Sequence, residues 1–374
     1  MYVPGAHPRF HAPDSLFPIV LAVVAVVVTL VAWAAFLTRS TTDESAYAPA
    51  LSLSPSSVRS VAYSVPEAND DVLYVRGLGA DDRPRILAAF PFAFNLHARG
   101  SISPHGDLAG VLHVDNAAGG PAQLTLLTVP GGERLDVAAG LDYLSPLAWS
   151  ADGARLAAVR TLAAEGTGRT RSAVVEVNTA TGAVAEVTGF DAVLQVVPVG
   201  YSIDVQRLFV VVVDQSGSAL WVVHNGKAVR AAVLSPGPTR DWTLSPDGSR
   251  LAFVDRIGVG ERTYAGRTLI IATGVVIDAA ALGDQLGVAW RPGSDIPDFG
   301  GPGGSLSLSE PVPGTYVIPM RWAPDGSTLV ATIYSASRDS GESVESIELL
   351  SAGQRVRLSE SPGAKFIGWA RNMD

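Results

Sequence analysis

Hydrophobic residues over most of this chain fall into short runs that are separated by turn-forming residues. Apolar or alternating runs, such as those that begin at Leu108, Leu208 and Leu251, stand between segments rich in Gly, Pro, Asp and Ser. This spacing is typical of β-strands joined by tight turns, because apolar residues on a helix face recur every three or four positions. The chain from residue 51 to residue 374 is therefore predicted to be an all-β domain.

One segment near the N-terminus departs from this pattern. Residues 16–37 are uncharged and mostly apolar, and as an α-helix they would be long enough to cross a hydrocarbon core of about 30 Å. The apolar run is longer than that of a signal peptide, and residues 1–15 lack a short basic start. We therefore expect an uncleaved transmembrane helix in contact with membrane lipid, followed by a linker at residues 38–50.

The charges that flank residues 16–37 indicate an orientation for this helix. Arg9, two histidines and the amino terminus precede it together with Asp14, whereas Arg39 is soon followed by Asp43 and Glu44. Positive charge favours the cytoplasmic side of a membrane. We therefore expect a single-pass protein of the cell membrane, with a cytoplasmic N-terminus and an extracytoplasmic domain.

A turn motif of the form Ser-Pro-Asp-Gly recurs along the domain. Proline sets φ for a tight turn, aspartate bonds the local backbone, and glycine takes the following left-handed position. Most copies are 43 to 52 residues apart, close to the length of a four-stranded propeller blade, which predicts six blades. The residues expected to form the clear copies of the turn are Gly106, Asp152, Gly153, Asp247, Gly248, Asp325 and Gly326.

The motif, with tryptophan before it and Leu-Ala-Phe after it, resembles the repeat of the TolB-type β-propellers. The copy at residues 242–253 shows both flanks, and the resemblance covers roughly residues 50–374. It implies a six-bladed propeller of a family whose members serve as scaffolds, sensors and peptidase accessory domains. TolB itself carries a cleaved signal peptide and an α/β domain before its propeller, so its own role is not transferred to this chain.

Two parts of the domain depart from the repeat. Residues 366–371 resemble an inner strand with no strands after it, so we expect them to complete the first blade. Residues 291–319, dense in Gly and Pro, are expected to form an irregular insertion, with a degenerate seventh blade as the alternative. In that segment Asp295, Asp298 and an exposed Phe299 are the candidate binding residues, and a solvated loop is the plainer interpretation.

The remaining composition argues against several kinds of chemistry. A net charge of −9 argues against a nucleic-acid partner, and the absence of cysteine excludes thiolate sites. The sequence holds no G-x-S-x-G, H-E-x-x-H or P-loop motif, so we expect a protein without enzymatic activity. His97, His105 and His113 are predicted to lie apart rather than to bind a metal. The pairs Asp70–Asp71 and Asp81–Asp82 are expected in hairpin loops, where Ca²⁺ is a conceivable ligand.

These observations predict a membrane-anchored propeller that acts as an interaction scaffold or an accessory subunit of an envelope complex, with protein partners. The alternative is a channel protein or enzyme that binds a small ligand or a divalent metal on the inner strands. Such a site needs several Asp, Glu, Asn or His at equivalent inner-strand positions, and only Asp241 meets that requirement. The sequence therefore favours the scaffold.

Overall fold

The computed structural model of the protein describes residues 58–79, 81–91, 96–114, 121–163, 170–258, 263–279, 283–302, 314–336 and 343–371. The predicted tail, membrane helix and linker at residues 1–50 lie outside the described residues. In the described ranges every regular element is a strand, and no helix there could cross a membrane.

The strands follow one another in antiparallel sets along the chain. The first eleven are β1 (Val58–Glu67), β2 (Asp70–Gly77), β3 (Arg85–Pro91), β4 (Arg99–Ile102), β5 (Leu108–His113), β6 (Ala122–Thr128), β7 (Arg134–Leu141), β8 (Ala148–Trp149), β9 (Arg155–Ala163), β10 (Thr170–Asn178) and β11 (Val184–Asp191). The next eight are β12 (Gln195–Tyr201), β13 (Leu208–Asp214), β14 (Gly217–His224), β15 (Lys227–Ser235), β16 (Thr239–Leu244), β17 (Arg250–Arg256), β18 (Tyr264–Ile270) and β19 (Val275–Asp278). The last seven are β20 (Leu286–Ala289), β21 (Asp298–Pro302), β22 (Thr315–Trp322), β23 (Thr328–Ala336), β24 (Ser343–Ser351), β25 (Gln354–Ser359) and β26 (Lys365–Arg371).

Hydrogen bonds group these strands into five sheets rather than the six separate blades expected from the motif spacing. The sheets contain four, eight, four, four and six strands. The eight-stranded sheet consists of β4–β7 and β8–β11, and the outermost strand of the first group meets β9 at the single pair Leu141–Arg160. The six-stranded sheet arises because β20 and β21 join β22–β25.

The two ends of the domain meet in one sheet, which confirms the expected pairing of the C-terminal segment. The strand order of the first sheet is β26–β1–β2–β3, and β26 pairs with β1 from Lys365–Ser64 to Arg371–Val58. This pairing removes an open edge from β1.

The hydrophobic core is divided into clusters that lie between successive sheets. One cluster joins the first sheet to β4–β7, and others follow between β4–β7 and β8–β11, then β8–β11 and β12–β15, then β12–β15 and β16–β19. The last of the series joins Val330 and Ile347 of the final sheet to Val61 and Trp369 of the first. The packing therefore runs in a closed circle, with apolar strands buried on both faces.

The segment 291–319, which was expected to be an irregular insertion, contributes strands to the sheets where the structure describes it, whereas its residues 303–313 lie outside the described residues. It contains all of β21 and the first part of β22, and β20 with β21 packs on one side against β17 and on the other against β22–β24. Glycine makes this possible because a Cβ on Gly300 would lie 2.1 Å from the Val317 carbonyl oxygen and 2.4 Å from that of Leu286. The glycines that indicated a loop thus allow three strands to approach closely.

The repeated turns have the geometry that the motif requires. Gly153 has φ of +66° and Gly248 has φ of +70°, the left-handed region that glycine adopts without a Cβ clash. In the copy at residues 245–250, the Ser245 hydroxyl donates to Asp247 Oδ1 at 2.5 Å, and the Arg250 amide donates to Ser245 Oγ at 2.9 Å. The serine of the motif therefore bonds both to the aspartate within the turn and to the first residue of the following strand.

Hydrogen bonds also link many of these turns to their neighbours around the circle. In each case a backbone carbonyl of one turn accepts a bond from the adjacent unit. The donors and acceptors are His105 Nε2 to Asp152 O at 3.0 Å, Arg155 Nη2 to Val205 O, Arg250 Nη1 to Asp295 O, Arg291 Nε to Gly326 O at 3.1 Å, and Arg371 N to Gly106 O at 3.0 Å.

Candidate functional site

A cavity of about 340 Å³ lies between the innermost strands of the circle. Its walls come from β4, β5, β16, β20, β22 and β26, together with the residues just before β8. Residues far apart in sequence therefore face a common space. The apolar part of the lining includes Leu112, Leu147, Trp242, Val288, Ile318 and Phe366.

Three charged side chains line this cavity. They are Arg99 on β4, Asp241 on β16 and Arg321 on β22. Asp241 Oδ2 accepts a bond from the Gly287 amide at 2.8 Å and lies 3.1 Å from Arg240 Nε. Its backbone is left-handed, with φ of +54°, a conformation that costs energy in a residue with a Cβ. The carboxylate therefore fastens β16 to β20 and is largely satisfied by protein groups.

The two arginines are held differently. Arg99 Nη1 donates to the Tyr143 carbonyl at 3.2 Å, and its guanidinium lies 5.6 Å from the centre of the Tyr143 ring. Arg321 makes no hydrogen bond or ion pair with any of the described residues, although its side chain is exposed to the cavity. Burial lowers the pKa of both guanidinium groups from the ordinary value. Both cations therefore lie in surroundings that solvate charge less well than open water.

The candidate binding residues of segment 291–319 are used within the fold. Phe299 is only 7% exposed and packs in the cluster with Ala252 and Trp290, so the expectation that it is exposed is wrong. Asp298 Oδ2 accepts the indole N–H of Trp322 at 2.7 Å. Asp295 is the exposed member, and its carboxylate lies 3.5 Å from Arg250. A binding role for these three residues remains a prediction.

The three histidines that were predicted to lie apart have separate bonding partners. His97, His105 and His113 bond separately to Asp71, to the Asp152 carbonyl and to Thr125. In the described ranges no group of three or more His, Asp or Glu is placed to hold a metal ion.

Asp71 does not lie in an exposed hairpin loop as expected. It is 1% exposed and accepts the Ala98 amide at 2.6 Å in addition to its contact with His97. Asp82, by contrast, is exposed and accepts the Gly79 amide at 2.7 Å. Ca²⁺ binding at these pairs remains a prediction.

The two cavity arginines were missed at the level of sequence. Arg99 lies on β4 and Arg321 on β22, whereas the residue types expected at a channel site were Asp, Glu, Asn and His. The available signal was an arginine within an otherwise apolar inner strand, because a long cation there must face either the cavity or a partner.

Solved structures provide the comparison that decides the fold. The acylaminoacyl peptidase of Pyrococcus horikoshii matches with 13% identity and a TM-score of 0.55, over 82% of this chain and 51% of that chain. The β-propeller domain of the Trilobed protease from Pyrococcus furiosus matches with 13% identity and a TM-score of 0.54, over 81% of this chain and 93% of that domain. The fold is a β-propeller.

A TolB protein is also among the solved structures that match this chain. TolB from Acinetobacter baumannii matches over 83% of this chain and 66% of that chain, with 15% identity and a TM-score of 0.48. No family model matches the sequence, and no curated protein does. The propeller spans about half the length of the acylaminoacyl peptidase it matches, so the likeness defines the fold and not an activity.

Proposed function

We propose that this protein is a single-pass membrane protein whose extracytoplasmic propeller binds protein partners, as a scaffold or accessory subunit of an envelope complex. The observation that carries the proposal is the central cavity, which combines an apolar wall with Arg321, a cation that no described residue pairs. Apolar walls with a few polar groups are characteristic of binding sites.

The arrangement of the cavity supports binding rather than catalysis. Its only carboxylate among the described lining residues, Asp241, is occupied by the Gly287 amide and Arg240. A general acid or base must reach a substrate proton, and a metal needs several ligands. Neither requirement is met by a single carboxylate that already bonds to the Gly287 amide and Arg240.

The fold supports the role of a platform through its closed packing. We further propose that the eight-stranded sheet corresponds to two blades joined at Leu141–Arg160, and that β20–β21 is a partial unit beside a sixth blade of β22–β25. Successive proposed blades then share a cluster of apolar contacts, except that β16–β19 contacts the sixth blade through β20–β21. A closed circle of this kind holds its inner strands in fixed positions, which suits a preorganised binding site.

The proposed anchor has a functional consequence. A helix at residues 16–37 would confine the propeller to the membrane surface, and this confinement raises its effective concentration toward partners in the same membrane. We test the anchor by alkaline extraction of membranes and by protease digestion of intact cells or spheroplasts. The proposal predicts a protein that stays in the membrane pellet and a propeller cleaved only from the outside, and release by alkali would contradict it.

The binding role is tested by isolating the tagged full-length protein in mild detergent and identifying co-purifying proteins by mass spectrometry. Ile318→Trp fills part of the cavity, and Ile277→Trp, at a side chain 50% exposed on β19, is the matched control. We expect a defined set of partners that the control retains and the cavity variant loses. A wild-type protein that purifies without partners would overturn the proposed scaffold function. If both variants retain the partners equally, the cavity is not the site at which they bind.

A further inference from the structure

The central cavity has a local charge opposite to that of the whole chain. The protein carries a net charge of −9, yet the charged residues of the cavity are two arginines and one aspartate. Asp241 is engaged by the Gly287 amide and Arg240, so it does not neutralise Arg321. The cavity is therefore a cationic site in an acidic protein.

Among the described residues, none accepts a hydrogen bond from Arg321, the second arginine of this site. A guanidinium carries five N–H donors in a planar fork, and no described residue accepts from any of them. Arg99 already donates through Nη1 to the carbonyls of Tyr143 and Leu144, at 3.2 and 3.4 Å. Arg321 can thus form the main contact with an anion, and Arg99 contributes a second charge.

The surroundings select among anions. Planar guanidinium groups match carboxylates in a two-bonded geometry, and such bonds strengthen where water is partly excluded. The wall of the cavity includes apolar side chains such as Ile318, Phe366 and Trp242. An apolar wall favours an anion joined to an apolar group over a small, fully hydrated ion, because the apolar group gains from leaving water. The cavity volume of about 340 Å³ lies within the range of small-ligand sites.

We propose that the cavity recognises a carboxylate attached to an apolar body, presented by an extended segment of a protein partner, with Arg321 as the principal carboxylate-binding residue. This inference rests on the proposed scaffold function and names the chemistry of its partner. The same chemistry could come from a free apolar carboxylic acid, and the experiment distinguishes the two sources.

The direct test measures binding of small probes to the full-length protein in detergent by calorimetry or ligand-observed NMR. The probes are N-acetyl-leucine, its uncharged amide, acetate and inorganic phosphate. We expect N-acetyl-leucine to bind at least tenfold more tightly than each of the other three, since only it has both the carboxylate and the apolar group. Equal binding of the acid and the amide, tighter binding of phosphate, or no binding of N-acetyl-leucine would overturn the proposal.

Variants assign the contact to Arg321. Arg321→Gln should weaken N-acetyl-leucine binding at least tenfold, and Arg321→Lys should weaken it less, because lysine keeps the charge but loses the fork. Arg230→Gln, at an exposed residue on β15, is the matched control and should bind as the wild type does. An unchanged thermal midpoint shows that each variant is folded, and equal affinity of Arg321→Gln and wild type would refute the assignment.

Isolation of partners separates this inference from the scaffold itself. If Arg321→Gln loses the partners that Arg230→Gln retains, the carboxylate belongs to a protein segment. If Arg321→Gln retains every partner, the proposed scaffold function is supported and the proposal that partners bind through a carboxylate at Arg321 is wrong. If no partner is found while N-acetyl-leucine binds through Arg321, the source is a free carboxylic acid, which overturns both the protein segment and the scaffold.

Discussion

Closure of the propeller by β26 can be tested by adding a single Cβ atom at residue 106. Gly106 lies in the turn between β4 and β5 with φ of +72°, and its carbonyl accepts the Arg371 amide at 3.0 Å. A Cβ at residue 106 would lie 2.8 Å from Arg371 N and 3.2 Å from the Ala370 carbonyl carbon. Gly106→Ala therefore pushes on the backbone of the closing strand itself.

A matched control separates this contact from backbone strain. Gly353 has the same φ of +72°, in the turn between β24 and β25, and a Cβ there would meet nothing within 4 Å. An alanine in the left-handed region costs about 1–2 kcal/mol at either site. Gly106→Ala adds the loss of a hydrogen bond, about 1 kcal/mol, and a close backbone contact of about 1–3 kcal/mol. We expect it to lower the free energy of unfolding by about 2–4 kcal/mol more than Gly353→Ala does.

Two measurements on the full-length protein check this expectation. Urea unfolding followed by tryptophan fluorescence gives the two free energies, and amide hydrogen exchange reports on residues 365–371. The Gly106→Ala variant should exchange faster in β26 than the Gly353→Ala variant. Equal free energies with equal protection of β26 would show that this turn does not hold the closing strand, and the reasoning would fail.

Three further results are expected. Phe253→Ala removes a ring with 0% exposure between β17 and β13, so the urea midpoint should fall by the equivalent of about 3–5 kcal/mol, whereas Ile86→Ala, at 62% exposure, should change little. Gly300→Ala should cost about 3 kcal/mol if β21 pairs as described, and a change under 1 kcal/mol would return this segment to a loop. Burial raises the pKa of Asp247, but bonds from Ser245 and Ser249 outweigh it and hold the pKa below its usual value. The stability from this carboxylate is thus present above the unfolded pKa of about 3.9 and lost as pH falls through the folded value, so Ser245→Ala should destabilise more at pH 7 than at pH 3.

The sequence predicted those parts of the fold that depend on local chemistry. The turn at Gly153 needs only a left-handed residue and nearby hydroxyl and carboxylate groups, and all of them are adjacent in sequence. The closing strand was also predictable, because residues 366–371 repeat the pattern of an inner strand. Such features leave a local pattern.

The features that were missed depend on residues distant in sequence. Phe299 is buried because the space above Gly266 admits its ring, and a Cβ on Gly266 would lie 2.6 Å from it. Asp71 is buried because the Ala98 amide and His97 reach it from another strand group. Arg321 pairs with no described residue, and this depends on which side chains several inner strands bring near it. None of these contacts follows from a regular spacing of residues along the sequence.

The pairing of β26 with β1 also bears on the order in which the chain folds. A ribosome releases β1 before the other strands of the propeller and β26 after them, so the first sheet lacks its inner strand until the rest of the propeller has been synthesised. During that time β1 offers an open edge, and the apolar residues that later contact Ile367 and Trp369 remain uncovered. Sheets in the middle of the chain can assemble as they emerge, whereas the first sheet cannot be completed until β26 has been synthesised. A nascent propeller of this kind therefore needs shielding from other chains until its final residues arrive.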